Sequence, residues 1–127
     1  MRVLLDTNAY KAFCDNQTNI VEVLQQAEEI IFPFVVLAEL RAGFLGGNQS
    51  TKNERTLSRF LQSSRVTTVY ADDQTTHHYA RLFNQLKKQG TPIPTNDIWI
   101  AALTIQHNLC LLTLDSDFNN FPQIEKF

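Results

Sequence analysis

The chain has 127 residues, 43% of them hydrophobic and 19% charged. This is globular composition, expected to form one domain over 1–127, and it excludes a disordered or low-complexity protein. Lys and Arg total 11 against 13 Asp and Glu, giving a formal charge of -2 and a pI of 5.8, which excludes a protein that grips nucleic acid by bulk positive charge.

In chain order, Val3-Leu4-Leu5 is an unbroken apolar run ending at Asp6, the pattern of a strand buried on both faces. Asn8 or Thr7 is positioned to cap a following helix with Ala9, Tyr10, Phe13 and Cys14 on one face. A second helix is expected over 19–28, then a strand at Ile30-Ile31-Phe32 that Pro33 ends, unless Pro33 opens the next helix. Val35 to Leu45 is a strongly apolar helix closed by Gly46-Gly47. Thr51-x-x-Glu54 has the form of a capping box and opens a helix to about Ser63, with Leu57, Phe60 and Leu61 inward. Val66 to Tyr70 reads as a strand. Asp72 or Asp73 then caps a long helix carrying Tyr79, Leu82, Phe83 and Leu86, closed by Lys87, Lys88 and Gly90. The segment 97–108 is a helix apolar on nearly every side and is expected to be central. Leu109 to Thr113 is a further buried strand, followed by a turn at 118–121 and a weak strand near Ile124. Strands alternating with helices specify a three-layer α/β/α sandwich with a mainly parallel sheet of four or five strands.

Cys14 and Cys110 have no metal-ligand spacing and are expected to be buried free thiols in a reducing, cytoplasmic setting. The start is not a signal peptide, because its apolar stretch meets Asp6 after three residues. The longest apolar run, Ile30 to Ala38, is interrupted by Pro33 and too short to span a bilayer.

Four carboxylates stand where core is expected. Asp6 and Asp115 follow apolar strands directly and should reach one sheet edge, where ligand sites of parallel sheets lie. Glu39 flanks the apolar stripe of its helix, with Gly43 leaving room one turn on. Asp97 opens the most apolar helix. Singly, each fits a cap or boundary residue. Together they would repel, and a divalent cation removes that cost. Oxygen ligands of this kind suit Mg2+ or Mn2+.

The motifs Leu4-Leu5-Asp6-Thr7-Asn8, Leu37-Ala38-Glu39-Leu40-Arg41-Ala42-Gly43, Asn96-Asp97-Ile98-Trp99-Ile100-Ala101-Ala102 and Leu112-Thr113-Leu114-Asp115-Ser116-Asp117-Phe118 resemble, in order, those of PIN-domain nucleases. The length resembles that of the compact VapC-type toxins. The resemblance implies metal-dependent RNA cleavage by one or two Mg2+ (or Mn2+) ions. Asp6, Glu39, Asp97 and Asp115 match the family's acidic quartet, and Asp117 a less uniform acidic position. Thr7, Asn8 and Thr113 match polar positions beside the metals. Pro33 departs from the small hydroxyl residue that relatives often carry, which leaves substrate contacts in that turn open.

The resemblance further implies a VapB-like antitoxin, homodimerisation, and no membrane association. RNA binding then needs local positive charge, for which Lys52, Arg55 and Arg59, with Arg41, are the candidates. The alternative is a non-catalytic module of the same fold that docks RNA or protein. With the quartet set aside, 9 acidic against 11 basic residues remain, +2 for the rest of the chain.

Overall fold

The computed structural model describes residues 1–127. The order is β1 (Arg2–Leu5), α1 (Thr7–Cys14), α2 (Thr18–Gln26), β2 (Glu29–Pro33), α3 (Phe34–Gly46), α4 (Ser50–Leu61), β3 (Val66–Val69), α5 (Asp73–Gln89), α6 (Thr95–Gln106) and β4 (Cys110–Leu112), then a 3-10 turn at Ser116–Asn120. The four strands form one parallel sheet in the order β3-β2-β1-β4. From β1 the chain steps outward through β2 to β3, then returns to the other side of β1 for β4. Right-handed crossovers therefore put α1 to α4 on one face and α5 and α6 on the other. This is the expected three-layer α/β/α arrangement. The fifth strand shrinks to one bridge, Leu111 with Lys126, held by Leu111 N–H to the Glu125 carbonyl at 2.8 Å and Phe127 N–H to the Leu111 carbonyl at 3.1 Å.

The core follows the apolar runs. Val3, Leu4, Leu5, Phe32, Leu111 and the α6 residues Ala101, Ala102 and Leu103 are fully enclosed. Tyr10, Phe13, Phe32 and Phe60 pack edge to face at 5.3–5.8 Å and lock α1 and α4 over β2. The Arg65 guanidinium donates to the Leu24 and Ala27 carbonyls at 2.9 and 2.6 Å, satisfying the end of α2. No helix is long and apolar enough to cross a membrane.

Several local expectations change. Neither Thr7 nor Asn8 caps α1. Asp6 does, accepting the Ala9 N–H at 2.9 Å. The Thr51–Glu54 box does not form, because the cap position of α4 falls two residues earlier, at Gln49, and Glu54 pairs with Arg41 at 3.0 Å. Asp72, not Asp73, caps α5. It accepts the Thr75 N–H at 3.1 Å while the Thr75 hydroxyl accepts the Asp72 N–H at 2.9 Å. Pro33 ends β2 and stands just before α3, rather than inside it. The thiols are not buried: Cys14 is exposed and Cys110 half-buried. Of the apolar residues on α5, Leu82 and Leu86 are buried, while Phe83 is exposed and stacks on Tyr79.

Candidate active site

The connections reverse direction between β1 and β4, which makes the C-terminal ends of these two neighbours the switch point of the sheet. The register pairs Leu5 with Leu112, so Asp6 and Thr113 emerge side by side. The Asp6 N–H donates to the Leu112 carbonyl at 3.3 Å, and the Thr113 hydroxyl donates to Asp6 Oδ2. Asp6 is 4% exposed, and both its oxygens are engaged, one by Thr113 and one by the Ala9 N–H. The Thr113 hydroxyl also accepts the Asp115 N–H at 3.0 Å, and Asp115 Oδ1 accepts the Asp117 N–H at 2.9 Å. These bonds turn the chain after β4 so that two carboxylates follow each other at the edge. From the facing helix, Glu39 receives the Thr7 hydroxyl on Oε1 at 2.9 Å.

A cleft of about 350 Å³ collects these groups. Asp6, Thr7, Asn8, Glu39, Asp97 and Asp115 line it. Asp117 is not a wall of the cleft, yet one oxygen from each of Asp97, Asp115 and Asp117 lies within 4.8 Å of the others. The tightest oxygen group is thus this trio, with Asp6 deeper behind it. The cationic candidates divide. Lys52 lines a larger neighbouring groove of about 630 Å³, Arg41 is paired with Glu54, and Arg55 and Arg59 are exposed on α4 and line neither hollow. The sequence reading missed Lys11, which lines both hollows, and Asn96, in the carboxylate cleft. The available signal for Lys11 was its spacing of four from Thr7 on α1.

The carboxylates of the cleft repel one another. Desolvation, then the negative charges of Asp115, Glu39, Asp117 and Asp6, push the Asp97 carboxyl up to about 7. Burial also raises Asp6, against the opposing hydrogen bonds from Thr113 and Ala9. None of the five carboxylates is ion-paired with Lys or Arg. An all-oxygen donor set with uncompensated charge fits a hard divalent ion.

Comparison with known proteins agrees with this geometry. The model of the PIN domain family matches residues 3–124. Ribonuclease VapC1 of Haemophilus influenzae (strain R2866) is 33% identical over 117 residues, 89% of this chain and 86% of that protein. Ribonuclease VapC4 of Mycobacterium tuberculosis is 32% identical over 91 residues, covering 72% of this chain and 70% of that one. Among solved structures, VapBC-1 from nontypeable Haemophilus influenzae superposes with a TM-score of 0.89 at 30% identity, covering 100% of this chain and 97% of the other. VapBC2 from Rickettsia felis, bound to a DNA fragment from its promoter, gives 0.86 at 28% identity, covering 100% and 98%. With matching order, length and sheet, the chain belongs to the PIN-domain family, alongside the VapC ribonucleases.

Proposed function

We propose that the 127 residues act as one nuclease domain, a Mg2+- or Mn2+-dependent endoribonuclease that is the toxin of a toxin–antitoxin pair. The observation that carries this reading is the convergence of Asp6, Glu39, Asp97 and Asp115 on one cleft at the switch point, with Asp97, Asp115 and Asp117 oxygens within 4.8 Å. The VapC relatives are ribonucleases by name, and the VapBC neighbours support an antitoxin partner. Cytoplasmic action and a homodimer belong to the same reading.

Asp97, Asp115 and Asp117 would hold the ion, with Asp6 and Glu39 beside it. When bound, the ion supplies Lewis acidity to water and to a phosphate oxygen. Thr113 and the Ala9 N–H keep Asp6 from rotating, so its charge faces the cleft in one orientation. Thr7 does the same for Glu39, whose half-exposed carboxylate is positioned to accept the proton of an attacking water. Asn8 and Asn96 offer amide groups at the rim to substrate phosphate or sugar.

The test is cleavage of total RNA in Mg2+ and in Mn2+, with chelator controls. Asp97→Asn should lose at least about 100-fold in rate while keeping its circular dichroism. Full cleavage by that variant, free of contaminating nuclease, overturns the assignment, as does a wild-type protein with no metal-dependent cleavage.

A further inference from the structure

The larger groove runs between α1, α3 and α4 and shares two lining residues with the carboxylate cleft, Lys11 and Glu39. The two hollows therefore adjoin at these side chains, and Lys11 stands at their junction. It is the one cation that lines the carboxylate cleft. It is exposed and enters none of the molecule's ion pairs. Its base is fixed relative to the chemistry: Asp6 caps the same helix, and Thr7, one turn earlier on the Lys11 face, is bonded to Glu39.

The groove beyond suits a strand with anionic backbone and flat bases. Lys52 and the polar side chains of Asn53 and Thr56 come from α4, and half-buried Phe44 of α3 presents aromatic surface, whereas Tyr10 is buried behind it. At Gly43 a Cβ would meet nothing within 4 Å, so the floor is open there. Asp15, one turn past Lys11, and Glu39 line the same groove and repel phosphate, so Lys11 and Lys52 are the points at which an anionic backbone can be held.

We propose that Lys11 is a substrate-binding cation. It holds the phosphate adjacent to the scissile one as single-stranded RNA passes from the carboxylate cleft into the α1–α3–α4 groove, where Lys52 meets the next. This rests on the endoribonuclease reading for its substrate. It differs from the exposed α4 arginines as the source of RNA affinity.

Binding and cleavage separate the two ideas. In an Asp97→Asn background, a labelled single-stranded RNA is titrated at several salt concentrations. Lys11→Met weakens binding several-fold and makes the log–log salt slope shallower by about 0.7, one phosphate contact on a single strand. Lys11→Arg restores both. In the cleaving protein, Lys11→Met raises KM with kcat nearly unchanged, because a flanking phosphate is held equally before and during reaction. Melting temperatures of all variants stay at the parent value, since Lys11 is exposed. An unchanged slope in Lys11→Met, or a loss that Lys11→Arg fails to rescue, overturns the proposal and leaves the groove to a protein segment. Absence of any RNA binding by the Lys11-intact protein overturns it too. A protein that binds RNA with the expected Lys11 dependence yet cleaves none keeps the proposal and removes the nuclease reading instead.

Discussion

Asp97 carries the strongest electrostatic consequence at the scale of one residue. The unfolded chain ionises it near 3.8, while the folded, metal-free chain keeps its proton up to about 7. Across that window the folded state holds more protons at this site, so the contribution of Asp97 to stability is fully present below about 4 and is lost as pH rises towards 7. Thermal melting in chelator should show this decline, with the slope reduced in Asp97→Asn. Divalent metal, which favours the ionised form, should restore melting temperature most at pH 7 and above. A melting temperature flat from pH 4 to 7 would contradict it. Asp6 adds a second lesson. A strand-end Asp read as a site residue is at the same time the cap of α1 and the acceptor of Thr113, so Asp6→Ala disturbs a helix start as well as a charge. Its position after an apolar run was legible. Its bond to Thr113 was not, because that depends on the register of two strands 107 residues apart.

At the scale of elements, α3 is a nearly all-apolar helix whose exposed end turns into the groove. Gly43 sits inside it, exposed and with open space above, so Gly43→Ala should stabilise the fold by about 0.5–1 kcal/mol through helix propensity alone. Urea unfolding checks this, and a lower midpoint would mean that the open space is illusory. The start of α4 shows where local reading stops. Thr51-x-x-Glu54 has the letters of a capping box, yet Glu54 forms an ion pair with Arg41 of α3. The competing partner comes from the neighbouring helix, so no window around Thr51 contains it. The α5 box was half legible, since Asp72 and Asp73 both have the right chemistry, and only the chain's path selects Asp72 with Thr75.

For the whole molecule, α6 couples the core to the site. Its buried face of Ile98, Ala101, Ala102 and Leu103 packs in the centre while its first turn delivers Asp97. Leu103→Ala should cost about 2–5 kcal/mol by opening a cavity. Its urea midpoint should fall with the slope unchanged, and a shift below the noise would mean that the interior collapses around it. The net charge of -2 is also resolved at this scale, because acidic residues concentrate in one cleft while Lys11 and Lys52 stand beside it. Sequence by itself determined the alternation of buried strands and helices, and with it the parallel sheet with Asp6 and Asp115 at the ends of its strands, because hydrophobic period and strand ends are local properties. The tertiary structure alone decided that β4 returns beside β1, that Asp117 lies closer to Asp97 and Asp115 than Asp6 does, that Glu54 leaves its cap for Arg41, and that Lys11 stands between two hollows. Each of these depends on how separate elements pack and pair, to which no pattern within a single element is sensitive.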